Sequence, residues 1–321
     1  MPRPTLYIHV GLPKTGTTSF QVFCMRNRAW LAEQGICYPP TMCAPHPTAS
    51  QHRYVNSAMR ASLQSGSATN VLTRLTQDIL ESGLPRALIS EEQFSYDSFL
   101  SAPFLGALRS SFDCRILLVL RRQDRWAESM YAQAVRGGYK HSFQTFLGAG
   151  ATRERLDHHG LVALWEEAFG PGNVNTLTYP EDGSSSLDLL LGFLELAPCV
   201  QATDDRFNVS LGAEAIAFIR ALDLPKDAYG FFNQSFSKML RDLTDPTPFS
   251  GFDPAARAEF FARWTGASAT FNDEPPLTTL DMSKPRQREL LQRLVGACDT
   301  RMSIPELTRR LAQASQADRA A

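Results

Sequence analysis

The sequence predicts a three-layer α/β/α fold with a central parallel sheet and a helical C-terminal portion. Up to about residue 200, short apolar runs alternate with helical stretches, which is the pattern of repeated β-α-β units. One of these runs, residues 116–120, is apolar at every position. A strand buried on both faces needs such a run, so this segment is predicted to be a central strand of a parallel sheet.

The individual elements follow from the same alternation. Five strands are expected, at residues 6–10, 36–38, 87–90, 115–120 and 174–178. Six helices are expected with them, at residues 17–34, 71–82, 99–111, 125–136, 161–169 and 187–196. Asp124 is expected to cap the helix at 125–136. Residues 39–70 have no clear period, and we expect them to form a loop over the site.

Beyond residue 200 the strand signal fades. Three further helices are expected, at residues 213–222, 254–265 and 285–295. We therefore expect an α/β core at residues 1–200 and a helical extension at residues 201–321, packed together as one structural unit.

Composition excludes several function classes. The 321 residues include 32 Lys and Arg against 33 Asp and Glu, and this balance argues against a nucleic-acid-binding surface. The six cysteines form no C-x-x-C pair and no His/Cys cluster with zinc-ligand spacing, so we expect reduced thiols and no metal site. Because no run of about 18 apolar residues and no signal peptide is seen, we expect a cytoplasmic protein without a membrane span.

A phosphate-binding loop follows the first predicted strand. Residues 11–19 read Gly-Leu-Pro-Lys-Thr-Gly-Thr-Thr-Ser and lead into a helix, and a strand–loop–helix unit of this kind binds phosphate through its backbone N–H groups and the helix dipole. Gly11 and Gly16 have the spacing of a Walker A loop, which makes the fold P-loop-like. However, Thr17 occupies the lysine position of that loop, and Lys14 stands two residues before Gly16. The loop is therefore suited to phosphate but departs from the nucleoside-triphosphatase pattern.

The string Pro-Lys-Thr-Gly-Thr-Thr resembles the 5′-phosphosulfate loop of sulfotransferases that use 3′-phosphoadenosine 5′-phosphosulfate (PAPS). The resemblance is to soluble bacterial members and to glycan sulfotransferase domains. It implies a catalytic role for Lys14, which would stabilise the charge on the departing nucleotide phosphate. It also implies a donor-binding set in the loop, consisting of Lys14, Thr15, Gly16, Thr17, Thr18 and Ser19.

A second segment resembles the part of the same family that binds the 3′-phosphate. There, an arginine at a strand end is followed eight residues later by a helical serine and then by a tyrosine. Arg121, Ser129 and Tyr131 have this spacing. An arginine at the carboxyl edge of a parallel sheet lies where ligands bind, and its guanidinium suits phosphate. Arg121 and Ser129 are thus implied to bind the donor, with Arg122 and Arg125 as alternatives to Arg121.

The reaction also needs a base that removes a proton from the acceptor substrate. A candidate lies at the end of another predicted strand. Residues 87–90 are followed by Glu91 and Glu92, and Glu91 has the position of the glutamate base in glycan N- and 3-O-sulfotransferases. The resemblance implies that Glu91 is catalytic, with Glu92 or a histidine as alternatives. Without the resemblance, the acidic pair is interpreted as a solvated loop or a helix start.

Histidines are the weaker candidates for the base. They are His9, expected in the core, His46 and His52 in the predicted loop, His141, and His158 and His159, expected in capping or surface roles.

Together these features predict a PAPS-dependent sulfotransferase that releases adenosine 3′,5′-bisphosphate. The acceptor implied by Glu91 is a carbohydrate, and a lipid or small-molecule hydroxyl remains open. Two other readings are a P-loop kinase or phosphotransferase and a non-catalytic nucleotide-binding protein.

Overall fold

The computed structural model describes most of the predicted core and part of the C-terminal portion. Described are residues 3–40, 69–95, 102–197, 211–221 and 247–264 and the single positions 240, 244, 285 and 289. Residues 41–68 of the predicted loop, with His46 and His52, lie outside the described residues. The same holds for the predicted helix at 285–295, apart from positions 285 and 289.

A five-stranded parallel sheet forms the centre of the fold. Its strands are β1 (Thr5–His9), β2 (Ile36–Cys37), β3 (Arg86–Ser90), β4 (Asp113–Leu120) and β5 (Val174–Thr178), in the order β2-β3-β1-β4-β5. Within this register His9 lies opposite Ser90 of β3 and Leu117 of β4. All five predicted strands are present and the α/β fold class is confirmed.

Eleven α-helices lie in the described part of the chain. They are α1 (Thr17–Arg26), α2 (Arg28–Glu33), α3 (Thr69–Glu81), α4 (Ala102–Ser111), α5 (Gln123–Arg136), α6 (Phe143–Gly148), α7 (Gly150–Leu156), α8 (His158–Phe169), α9 (Ser186–Phe193), α10 (Ala213–Ala221) and α11 (Pro254–Trp264). A 3₁₀ turn, Glu92–Ser95, follows β3. No helix among these described residues has the length and apolar character that crossing a membrane requires.

The predicted helix at residues 17–34 is divided at Asn27 into α1 and α2. The backbone of Asn27 leaves the helical region, at φ −111° and ψ 30°. The side-chain Nδ2 of Asn27 donates to the carbonyl of Phe23 at 2.9 Å. The backbone N–H of Asn27 donates to the same carbonyl. Asparagine side chains compete with the helix for backbone partners in this way, so the prediction of one continuous helix was wrong.

Helices cover both faces of the sheet. On one face, Leu117 and Val119 of β4 join Phe20 of α1 and Leu190 of α9 in a buried apolar cluster. Helices α4 and α8 contact β4 as well. Because successive strand residues point to opposite faces, Ile116 and the other residues of β4 that alternate with this cluster serve the second face. The sheet is therefore buried on both sides, as a parallel sheet requires.

The chain divides into two compact units. The first comprises residues 1–122 and 157–207 and contains the sheet with α1–α4, α8 and α9; the second comprises residues 123–156 and 208–321 and contains α5–α7, α10 and α11. In the second unit, α5 packs against α10 and α11 and also contacts α6 and α7. The expected boundary at residue 200 stays a prediction.

Candidate functional site

The loop between β1 and α1 is attached along its beginning to β4. The N–H of Val10 donates to the carbonyl of Leu117 at 3.1 Å, and the N–H of Leu12 donates to the carbonyl of Val119 at 3.1 Å. The N–H of Val119 donates in turn to the carbonyl of Gly11 at 2.7 Å. These bonds continue the parallel pairing past the end of β1, so the loop starts from a fixed backbone.

Three residues of the loop have left-handed backbone conformations. They are Gly11 at φ 98°, Lys14 at φ 67° and Gly16 at φ 81°. Gly16 also has no room for a side chain, since an added Cβ would lie 2.9 Å from the Cβ of Ser186 and closer still to its hydroxyl. Gly16 is the residue before α1 and has no side chain that could cap the helix. The first backbone N–H groups of α1 therefore receive no hydrogen bond from a capping side chain.

The threonines of the loop divide into two kinds. Thr15 and Thr17 are buried; the hydroxyl of Thr15 donates to the carbonyl of Leu12 at 2.5 Å. The Thr17 hydroxyl donates to Oε2 of Glu92 at 2.9 Å. Thr18, like Lys14 and Ser19, is partly exposed. Thr15 and Thr17 can therefore contact a ligand through their backbone N–H groups. Lys14, Thr18 and Ser19 can contact it with their side chains as well.

The two glutamates after β3 have different surroundings. The side chain of Glu91 is fully buried, and its Oε1 accepts a hydrogen bond from the N–H of Gln93 at 2.9 Å. Glu92 is partly exposed and is bonded to Thr17 of the loop. The structure thus brings Glu92 to the loop between β1 and α1 by a direct contact and places Glu91 inside the turn that follows β3.

A buried polar cluster lies under the end of β1. His9 is fully buried, and its Nδ1 shares a 2.7 Å hydrogen bond with the hydroxyl of Ser90. Gln21 of α1 donates from Nε2 to the same hydroxyl at 3.1 Å. Burial lowers the pKa of His9 from its ordinary 6.5 to about 3, so the imidazole is neutral at physiological pH.

Arg121 follows the last residue of β4 and reaches the loop. Its Nη1 donates to the carbonyl oxygen of Lys14 at 3.2 Å, and its Nε donates to Oε1 of Glu181 at 3.0 Å. The guanidinium carbon lies 4.7 Å from the centre of the Tyr179 ring. Arg121 and the Lys14 loop, about a hundred residues apart in the sequence, therefore meet in the first unit. Of the two alternatives to Arg121, Arg122 is exposed, and Arg125 is exposed and lies in the second unit.

Sequence reasoning missed Glu181 and Tyr179. Both follow β5, and β5 pairs with β4 in parallel, with Leu120 opposite Thr178. Because parallel strands end at the same edge of a sheet, residues just after β5 lie beside residues just after β4. This pairing of strand ends was the available signal.

Ser129, the predicted partner of Arg121, lies on α5 in the second unit and is partly exposed. Tyr131, two residues further on, is fully buried in that unit. Its hydroxyl donates to the carbonyl of His141 at 3.0 Å and accepts from Nη1 of Arg220 at 2.6 Å. Its ring packs against Phe143. Tyr131 therefore serves the core of the second unit.

Metal ligation has no support in the described residues. No group of three or more His, Cys, Asp and Glu side chains is placed there to hold a metal ion. Cys24, Cys37 and Cys114 form no disulfide, and the other three cysteines lie outside the described residues.

No protein-family model and no curated protein matches the chain. Among solved structures, a sulfotransferase from Alicyclobacillus acidocaldarius is similar at 16% identity and a TM-score of 0.41, over 61% of this chain and 83% of its own. The sulfotransferase domain of the Synechococcus PCC 7002 olefin synthase is similar at 13% identity and a TM-score of 0.37, over 94% of this chain and 96% of its own. Because the identities and TM-scores are low, neither likeness carries evidence of function.

Proposed function

We propose that this protein is a sulfotransferase that moves a sulfonate group from PAPS to an acceptor hydroxyl or amine and releases adenosine 3′,5′-bisphosphate. One observation carries the proposal. The lysine loop and the arginine at the end of β4 are bonded to each other, through Arg121 Nη1 and the Lys14 carbonyl. A donor with phosphate at both its 5′ and 3′ positions needs two such elements side by side.

The loop has features that fit the 5′ end of the donor. Gly16 has a left-handed backbone and no side chain, so the start of α1 has no side-chain cap, and Lys14, two residues earlier, is partly exposed. Helix N-termini of this kind bind anions. We assign the 5′ end to backbone and side-chain groups of Lys14, Thr15, Gly16, Thr17, Thr18 and Ser19. We assign the 3′-phosphate to Arg121; the role of Ser129, which lies in the second unit, stays a prediction from the sequence.

The proposed chemistry needs no metal. The acceptor oxygen or nitrogen forms a bond to the sulfur while the bond from sulfur to the bridging phosphate oxygen breaks. The electron pair of that bond leaves on the nucleotide phosphate, where the Lys14 ammonium stabilises it. The acceptor loses one proton to a base. Positioning and charge stabilisation carry most of such a transfer, as in phosphoryl transfer.

We propose that the base comes from the glutamate pair after β3. Glu91 was predicted from the sequence, and Glu92 was its alternative. A general base must be within hydrogen-bonding reach of the acceptor proton. The partial exposure of Glu92 and its bond to Thr17 support Glu92, whereas Glu91 is fully buried.

The acceptor is proposed to be a carbohydrate, with a lipid or small-molecule hydroxyl as the other classes to test. A panel of glycans, lipids and phenols, incubated with ³⁵S-labelled PAPS, identifies the class by transfer of label. Lys14→Ala is the negative control in this assay. Arg115→Ala is the matched positive control, because Arg115 lies on the same strand as the site but bonds to Gly172 and Asp113 instead.

Nucleotide binding tests the proposal without knowledge of the acceptor. Calorimetry is expected to show micromolar binding of adenosine 3′,5′-bisphosphate and weak binding of ATP, with no effect of Mg²⁺. Tight, Mg²⁺-dependent ATP binding would contradict the proposal and favour a phosphotransferase. Binding of the bisphosphate without label transfer to any acceptor of the panel would favour a non-catalytic nucleotide-binding protein.

A further inference from the structure

We infer that Arg121 is a positioning residue for Lys14: it fixes the peptide group of Lys14 through its carbonyl oxygen, and Glu181 and Tyr179 orient the guanidinium that does so. The inference rests on the proposed function in one respect, namely that the Lys14 loop binds the 5′ end of a nucleotide. It adds a second role for Arg121, besides contact with a 3′-phosphate.

The backbone of Lys14 needs such a contact. Its φ of 67° lies in the left-handed region, which residues with a Cβ seldom adopt. Apart from Lys14, the left-handed conformations of the loop belong to glycines. A conformation of this kind persists where surrounding contacts determine it. The 3.2 Å bond from Arg121 Nη1 to the Lys14 carbonyl is a contact of that type, made at the same peptide group.

The guanidinium of Arg121 is itself held from two sides. Its Nε donates to Glu181 at 3.0 Å, and its carbon lies 4.7 Å over the Tyr179 ring. The arginine side chain is 19% exposed and the Glu181 side chain 34%, so water screens the ion pair in part. The ion pair therefore contributes more to the orientation of the Arg121 guanidinium than to stability. A forked, planar cation bonded at Nε and stacked on a ring has its Nη1 aimed in a fixed direction.

Two of the five N–H donors of Arg121 are used in these contacts. The other donors of the fork retain the capacity to bind phosphate, so one guanidinium can serve both roles. The roles differ in one measurable consequence. A residue that only contacts the 3′-phosphate affects nucleotides that carry this group, whereas a residue that positions Lys14 also affects nucleotides with a 5′-phosphate alone.

The experiment uses the full chain and three variants. Arg121→Met keeps an unbranched apolar side chain and removes every donor. Glu181→Gln keeps an acceptor for Arg121 and removes the charge. Arg115→Met is the matched control, because Arg115 also lies on β4 and donates from Nη1 to a carbonyl, that of Gly172, at 3.2 Å. Its second contact is with a carboxylate, that of Asp113, at 3.4 Å.

Two readouts separate the inference from the function on which it rests. The first is the NMR carbonyl ¹³C resonance of Lys14 in ligand-free protein, which reports the hydrogen bond that this carbonyl accepts. The second is the calorimetric affinity for adenosine 5′-monophosphate and for adenosine 3′,5′-bisphosphate. Arg121→Met is expected to shift the Lys14 resonance and to weaken both nucleotides, the monophosphate by about tenfold for the loss of one charge-assisted bond. Glu181→Gln is expected to act in the same direction by less, and Arg115→Met not at all.

An unchanged Lys14 resonance in Arg121→Met would overturn the inference. So would a loss of affinity for the bisphosphate alone, since Arg121 would then act only on the 3′-phosphate. If the wild-type chain binds neither nucleotide, the proposed function fails, and the Lys14 resonance by itself decides whether Arg121 positions the loop.

Discussion

Two clusters of charged residues, one in each unit, use their charges in different ways. On α5 in the second unit, the carboxylates of Asp124 and Glu128 both bond to Arg257, and Glu128 also lies 3.5 Å from Nη1 of Arg125. Its Nη2 lies 2.7 Å from Glu128 Oε1, and its guanidinium lies over the Phe252 ring at 5.2 Å. At the end of β4 in the first unit, Arg121 instead divides its donors between a carboxylate and a backbone carbonyl of a loop.

We propose that this difference separates a cluster that stabilises the fold from one that binds a ligand. In the second unit the buried carboxylates face a cation in ordinary helical surroundings, which is the condition under which buried charge is tolerated. In the first unit the charged residues accompany three left-handed backbone positions, and at one of them, Gly16, an added Cβ would collide with Ser186. Unusual backbone of this kind is concentrated at functional sites. Variants of the first cluster should affect ligands, and variants of the second should affect folding.

The largest effect is expected for Lys14→Ala. Because Lys14 would stabilise charge on the leaving phosphate, turnover is expected to fall about 10²–10³-fold, as for loss of one transition-state donor. The midpoint of thermal unfolding is expected to stay unchanged, since the side chain is partly exposed. Label transfer and calorimetric unfolding measure the two effects. Near-normal turnover would remove Lys14 from the proposed chemistry.

Arg257→Met should show the opposite pattern. It takes away the cation shared by Asp124 and Glu128, which are both buried, and is expected to lower the free energy of unfolding by about 3 kcal/mol. Arg153→Met on α7, where the side chain is exposed, is the control and should change stability by less than about 0.5 kcal/mol. Denaturant unfolding gives both values. Equal stabilities for the two variants would mean that the α5 cluster does not support the fold.

Glu92→Gln and Glu91→Gln form a matched pair. Glutamine at position 92 can still accept the hydrogen bond from Thr17 but is no base, so turnover is expected to fall about a hundredfold. Nucleotide affinity should be retained. Glu91→Gln is expected to cost less activity. If instead Glu91→Gln abolishes turnover and Glu92→Gln does not, the base is the residue that the sequence predicted.

Gly16→Ala tests the shape of the loop. A methyl group at this position meets Ser186 and would also have to adopt φ 81°. The two costs together are expected to reach about 2 kcal/mol, seen as weaker nucleotide binding and a lower unfolding midpoint. Adding Ser186→Gly to the Gly16→Ala variant should recover the part of the lost affinity and stability that comes from the collision with Ser186. No recovery would assign the whole loss to the backbone conformation.

The last prediction concerns acid stability, and its effect near neutral pH is the smallest of the five. Burial lowers the pKa of His9 from 6.5 to about 3 and that of His158 to about 4, and both lie in the first unit. Below pH 6.5 the unfolded chain binds protons that the folded chain does not, so stability falls as the pH falls. Each histidine is expected to contribute about 1.4 kcal/mol per pH unit, down to about pH 3 for His9 and pH 4 for His158. The slope of unfolding free energy against pH should be smaller by that amount in His9→Gln. An equal slope would contradict the assignment.

Much of the first unit could be predicted from the sequence because its signals are local. The strands contain apolar runs, such as residues 116–120 of β4, and the loop is a contiguous segment with glycines at fixed spacing. The break at Asn27 was missed because it depends on one side chain that reaches back four residues. Asp124 was expected to cap a helix, but α5 begins at Gln123 and the carboxylate accepts from Arg257, 133 residues away. Glu181 and Tyr179 were missed for the same reason, since only the parallel pairing of β4 with β5 brings them to Arg121.

The contact between Gly16 and Ser186 has an evolutionary consequence. The two positions share one small volume, and the missing side chain of one is filled by the side chain of the other. In related sequences, position 186 is expected to remain small, and changes at the two positions are expected to be correlated. An alignment in which large side chains occur freely at position 186 while the glycine is retained would show that the two positions are not packed together in relatives.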